Sequence, residues 1–186
     1  MKTAQRALET LKEGNLQYMQ SETPVGDISL KRRKSLCENG QQPYAVIVSC
    51  ADSRVIPESI FSVGLGELFV IRVAGNVIDS HQLGSIEYAV NHLGSRLVVV
   101  LGHDHCGAVG AALDGHAEGH IKTITDVIRQ AIGNETNPEH ACCLNVMHSV
   151  KQIKEALEKE SPEELKSMIV SGAVYHLATG EVEFLD

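Results

Sequence analysis

Apolar side chains follow two spacings along this chain, short unbroken runs and a repeat of three to four residues, which predict a succession of strands and helices. Ala4, Ala7, Leu8 and Leu11, then Tyr18 and Met19, have the spacing of an amphipathic helix over 3–20. Residues 21–29, with Pro24 and Gly26, read as a loop, and a short helix from Ser29 to about Cys37 ends in the turn Glu38-Asn39-Gly40. The run over 44–49 is apolar without interruption, which predicts a strand buried on both faces. Pro57 starts a short helix to Phe61, and Gly64-Leu65-Gly66 turns into a second strand over 68–73. These glycines precede a strand rather than open a helix, so they are no dinucleotide fingerprint.

A helix around 82–93 carries Leu83, Ile86, Ala89, Val90 and Leu93 on one face, and a third strand follows at 97–101. Further helices are predicted from Gly107 through Leu113 and over 121–132, with a loop at 114–120 between them. After a break at 134–138, Val146, Val150, Ile153 and Leu157 mark a longer helix. Ser161-Pro162-Glu163-Glu164 has the form of a helix start with a capping box. A fourth strand over 168–174 leads through Thr179-Gly180 into a short closing strand at 182–185. Alternating strands and helices predict an α/β fold around a mainly parallel sheet flanked by helices. One domain is expected over 1–186, with 1–40 a helical arm docking outside the core or on a second subunit and 41–186 the α/β core.

Composition narrows the class without naming a function. The 186 residues, 43% hydrophobic and 22% charged, suit one soluble domain. No apolar stretch reaches the roughly 18–20 residues of a membrane span, and the amino terminus lacks the apolar core of a secretory signal. A cytoplasmic location and no membrane partner are expected. Net charge is −8, and the only basic cluster, Lys31-Arg32-Arg33-Lys34, reads as a solvated face, so no nucleic-acid partner is expected. The five cysteines are an odd number, and a reducing compartment disfavours disulfides. Cys37, Cys142 and Cys143 read as small buried hydrophobes. His81, His92, His116, His120, His140, His148 and His176 are scattered and read as surface or core residues.

Two strand ends carry the candidate chemistry. The first strand ends in Cys50-Ala51-Asp52-Ser53-Arg54, the third in Gly102-His103-Asp104-His105-Cys106-Gly107. Each motif is weak alone, since a cysteine there is often a buried hydrophobe or redox thiol and a strand-end histidine often caps a turn. Together, Cys50, His103 and Cys106 form a soft ligand set suited to a tetrahedral zinc ion. Cys50 has no Cys-x-x-Cys partner, so three ligands leave a fourth position open, as in catalytic sites. If Cys50 and His103 share a site, strands one and three are neighbours. The sheet order is then 2-1-3-4, with a short antiparallel fifth strand, and the site falls at the topological switch point where α/β sheets bind ligands. Asp52 is placed either as fourth ligand or as hydrogen-bond acceptor for a zinc-bound water, and a bidentate pair with Arg54 would hold it off the metal. His105 reads as a solvent or proton-relay residue.

Both motifs resemble the zinc motifs of the β-class carbonic anhydrases, as do Arg72-Val73-Ala74-Gly75-Asn76 and Ser85-Ile86-Glu87-Tyr88-Ala89-Val90 between them. The similarity is specific over roughly 44–113 and diffuse elsewhere. It implies Zn2+ on Cys50, His103 and Cys106, an Asp52–Arg54 catalytic dyad orienting zinc-bound hydroxide, and reversible hydration of carbon dioxide to bicarbonate. It also implies a homodimer or homotetramer with sites near the subunit interface, with Gln82 and Gly107 as substrate-contact candidates. The chain has no Trp, which departs from members with an aromatic-dependent bicarbonate regulatory site. Relatives of this fold hydrolyse carbonyl sulfide or carbon disulfide, and the motifs do not separate these substrates. A non-catalytic zinc module with Asp52 permanently on the metal is the remaining alternative.

Overall fold

The computed structural model describes residues 2–23 and 26–185, so Pro24 of the expected 21–29 loop lies outside the described residues. In chain order the elements are α1 (Ala4–Gln20), α2 (Leu30–Asn39), β1 (Ala45–Ser49), α3 (Pro57–Ile60), β2 (Leu68–Arg72), a 3-10 turn (Ala74–Asn76), α4 (Ser80–Asn91) and β3 (Leu97–His103). They continue with α5 (Gly107–Asp114), α6 (Ile121–Ile132), α7 (Pro138–Glu160), α8 (Pro162–Leu165), β4 (Ile169–Tyr175) and β5 (Val182–Leu185).

The strands form one sheet in the order β2-β1-β3-β4-β5. The first four are parallel, and β5 closes the edge antiparallel to β4. This is the order expected from the shared site, and β1 and β3 are adjacent with Val46 opposite Val98 and Ser49 opposite Leu101. Successive side chains on a strand face opposite ways. Ile47, Val99 and Ala173 thus pack on one face with Ala7 and Leu11 of α1 and Ile60 of α3. Val46, Val48, Val98 and Val100 pack on the other with Ile86 and Val90 of α4 and Val146 and Val150 of α7. Burial on both sides is why these strands are unbroken apolar runs. A third cluster gathers α5, α6 and the start of α7 around Cys50 and Cys106, at the carboxyl ends of the strands.

Several boundaries differ from the expectation for identifiable reasons. β3 runs on through Gly102 and His103, paired with Val174 and Tyr175, because a Gly102 side chain would meet Val146 and the apolar run therefore stops before the strand does. α4 begins at Ser80: Asp79 caps it, with Gln82 completing a capping box by accepting from the Asp79 amide. The capping box expected at Ser161 is not formed. The Ser161 hydroxyl instead accepts a hydrogen bond from Asn91. α7 starts at Pro138, capped by Asn137, a full two turns before its apolar stripe becomes regular.

Helix α1 docks on one face of the sheet and buries Ala7 and Leu11 fully against it. Gly14 lets the helix approach the Phe61 carbonyl, which a Cβ would meet at 2.0 Å. Beside it, the buried Asn15 donates to the Ile60 and Gly180 carbonyls at 3.2 and 2.8 Å and accepts from the Val182 amide at 2.9 Å. Helix α2 buries no residue, so its basic residues are mostly solvated. For the same reason Cys37 is exposed, correcting its reading as a buried hydrophobe; Cys142 is buried and Cys143 half-buried. Among the described residues no helix is long and apolar enough to cross a membrane.

Candidate metal centre

The sheet brings the two motifs together because β1 and β3 are neighbours whose carboxyl ends lie side by side. Cys50 is the first residue after β1, His103 the last of β3, and Cys106 caps the amino end of α5. One ligand atom from each lies within 4.8 Å of the others, and the three residues are buried. The Cys50 and Cys106 sulfurs are 4.0 Å apart. His103 Nδ1 is 2.7 Å from the Asp104 carbonyl, which makes it the protonated nitrogen and leaves Nε2 with its lone pair toward the sulfurs. That Nε2 is buried and has no hydrogen-bond partner among the described residues. A buried acceptor left unpaired is costly. Two soft sulfurs and an unpaired imidazole nitrogen, converging in one buried place, are a donor set that a transition-metal ion satisfies.

The electrostatics point the same way. With no cation between them the two sulfurs cannot both ionise cheaply. Cys50 is held below the usual thiol range, chiefly by a hydrogen bond from Cys106, and Cys106 is driven well above it by Cys50. A divalent cation removes that conflict and favours both thiolates. Burial lowers the His103 pKa, but the neighbouring Cys50, the Asp104 carbonyl and Asp52 together outweigh it and raise it.

Asp52 lies beside the three candidate ligands and is not part of their cluster. Its Oδ1 accepts from the Arg54 backbone amide and Nε, both at 2.9 Å, and its Oδ2 accepts from Arg54 Nη2 at 2.7 Å. The same Oδ2 is 3.8 Å from His103 Nε2. The Arg54 hydrogen bonds hold the Asp52 carboxyl far below the usual carboxylate range. Arg54 Nη2 also reaches the His105 carbonyl at 3.3 Å, so the pair ties the two motifs together. His105 has a left-handed φ of +51°, which turns that carbonyl toward Arg54 while its side chain stays exposed.

Supporting residues complete the site. Arg72, at the end of β2, donates to the Cys50 and Asp52 carbonyls at 3.1 and 2.6 Å and fixes the first motif's backbone. The Gly75 amide donates to Cys50 Sγ at 3.3 Å. Cys142 donates to the His103 carbonyl at 3.2 Å. The Arg72–Asn76 stretch stood out in the sequence only by its resemblance. Its Gly-Asn pair was the local signal for left-handed backbone, whereas Cys142 sits in a helical pattern that reveals nothing of its partner. Gly107 is exposed at the first position of α5 with open space where a Cβ would stand. Gln82 is half-buried, its side-chain oxygen engaged in the α4 capping box.

A mainly parallel α/β sheet whose switch point brings Cys50, His103 and Cys106 together is a fold and donor set that could hold a metal ion. The carbonic anhydrase family model matches residues 45–182. A carbonic anhydrase of Mycolicibacterium smegmatis is 36% identical over 95% of this chain and 91% of its own. Carbonic anhydrase 2 of Mycobacterium tuberculosis is 53% identical over 62% of this chain and 55% of its own. The crystal structure of the β-carbonic anhydrase CafA of Aspergillus fumigatus superposes with a TM-score of 0.71 at 27% identity, covering 98% of this chain and 90% of that one. The chain belongs to the carbonic anhydrase family, in its β class.

Proposed function

We propose that the protein is a zinc enzyme that hydrates carbon dioxide reversibly to bicarbonate and a proton. The observation that carries the reading is the separation of roles at one buried place: three residues form the ligand cluster, and Asp52 stands next to it clamped by Arg54. A carboxylate serving as a permanent fourth ligand would not spend both oxygens on a guanidinium. Zinc fits the donor set in size, because two bonds of about 2.3 Å at a tetrahedral angle separate the sulfurs by about 3.8 Å, against the 4.0 Å found. When bound, zinc acts as a Lewis acid that brings the ionisation of water toward neutral pH.

The chain's own residues then have distinct roles. Cys50, His103 and Cys106 hold the ion and cancel its charge. Asp52 Oδ2 is the atom placed to accept a hydrogen bond from the attacking water and fix its orientation. Arg54 keeps that carboxylate ionised and away from the metal. Gly107, at the start of α5, is proposed to offer its amide to the product oxyanion, and Gln82 to contact substrate if its capping bond opens.

A homodimer or homotetramer is proposed as the working assembly. The β2 strand is an open edge whose Phe69, Val70 and Ile71 are only half-buried, and such edges in stable proteins are normally covered or blunted. The substrate is tested by supplying carbon dioxide, carbonyl sulfide and carbon disulfide to zinc-loaded protein. Acid release with carbon dioxide and no hydrogen sulfide from the other two is expected. Hydrogen sulfide release with no carbon dioxide turnover would assign the alternative substrates.

A further inference from the structure

We propose that Asn145 and Ser149 of α7 are positioning residues for the metal centre: they hold the Gly75–Asn76 turn so that the Gly75 amide is aimed at Cys50 Sγ. This rests on the reading of Cys50 as a metal ligand. The turn follows directly from β2, whose ladder continues past the strand: Val73 donates to the Ser49 carbonyl and the Ala51 amide donates to the Val73 carbonyl. Gly75 therefore lies over Cys50, its amide 3.3 Å from the sulfur. Gly75 and Asn76 are consecutive left-handed residues, with φ of +67° and +46°. A pair of this kind persists only where its surroundings hold it.

The holding groups come from one turn of α7. Asn145 Nδ2 donates to the Gly75 carbonyl at 2.8 Å, and Ser149 Oγ donates to the Asn76 carbonyl at 3.1 Å. Both residues are 1% exposed. They fix the two peptide planes that follow the Gly75 amide, and with them the amide's own direction. The choice of an amide at position 145 has no other visible reason. Asn145 Oδ1 is buried without a partner among the described residues, and apart from Ser149 and Cys142 the buried residues around it on α7, Ala141, Val146 and Val150, are apolar. An N–H directed at a thiolate draws electron density from the sulfur and pre-orients it, so α7 tunes the metal from outside the ligand sphere.

The test uses the full chain loaded with cobalt(II) in place of zinc, read by its thiolate-to-cobalt absorption and by the rate at which a chelator removes the metal. Asn145→Leu is expected to move the absorption to longer wavelength and speed metal loss about tenfold. Ser149→Ala, which removes one hydroxyl and is the gentler change, is expected to shift both in the same direction by less. Ser161→Ala, at the far end of α7 and bonded to Asn91, is expected to lower the melting temperature and leave both readouts at the parent's values. Parent-like absorption and metal loss in Asn145→Leu overturn the proposal, as they do in Ser149→Ala should Asn145→Leu not fold. Equal shifts in Ser161→Ala overturn it too, since general loosening would then explain them. A parent chain that shows no thiolate-to-cobalt absorption refutes the metal reading itself, which the variant comparison leaves separate.

Discussion

In the proposed mechanism Asp52 accepts a hydrogen bond from water rather than binding the metal, and its pairing with Arg54 is the observation that favours this. Three hydrogen bonds from one arginine occupy the carboxylate and depress its pKa below the ordinary 3.8. A carboxyl whose folded pKa is depressed stabilises the fold above its unfolded pKa and loses that contribution as pH falls through the folded value. In the metal-free protein, the melting-temperature difference between parent and Arg54→Met should therefore hold steady from pH 8 to pH 5 and shrink below about pH 4. A difference that grows on acidification would contradict the pairing. Cys106 makes the opposite kind of claim. Because metal binding is coupled to folding, Cys106→Ala should lose bound zinc and show a lower melting temperature than the zinc-loaded parent, measured by metal analysis and calorimetry.

Elements place these residues, and here the legibility of the sequence was uneven. The strands over 44–49 and 97–101 were legible because burial on both faces leaves only apolar residues, and the candidate ligands were legible because they stand just past the ends of such runs. The sheet order followed from requiring Cys50 and His103 to meet. What stayed hidden depends on contacts distant in sequence. The Asn15 latch to Gly180 and Val182 spans most of the chain, and nothing in the 3–20 pattern marks it apart from a polar residue after Gly14. Asn15→Leu strands two carbonyls and one amide in the interior, so a loss of about 2–4 kcal/mol is expected in denaturant titration. Gly75→Ala should cost about 1–3 kcal/mol, because φ is +67° and the new Cβ would lie 2.8 Å from Ile128 and 3.0 Å from Ala108. A melting temperature equal to the parent's in Gly75→Ala would mean that the turn relaxes freely.

At the scale of the whole molecule, one end of the sheet carries the candidate site, and β2 and β5 are its two edges. Helices α4 and α7 cover one face and α1 the other, and among the described residues no strand pairs with the outer side of β2. Light scattering at micromolar concentration should report two or four chains, and a mass of one chain would remove the proposed assembly. The central claim, an open three-ligand zinc site with an arginine-held carboxylate beside it, is tested most directly by stopped-flow carbon dioxide hydration at pH 7–9. Parent and Asp52→Asn are compared, with zinc content measured on both. The expected result is catalysis by the parent and a loss of at least about a hundredfold in Asp52→Asn at equal zinc. A zinc-loaded parent that does not accelerate hydration, or an Asp52→Asn chain as active as the parent, would contradict it.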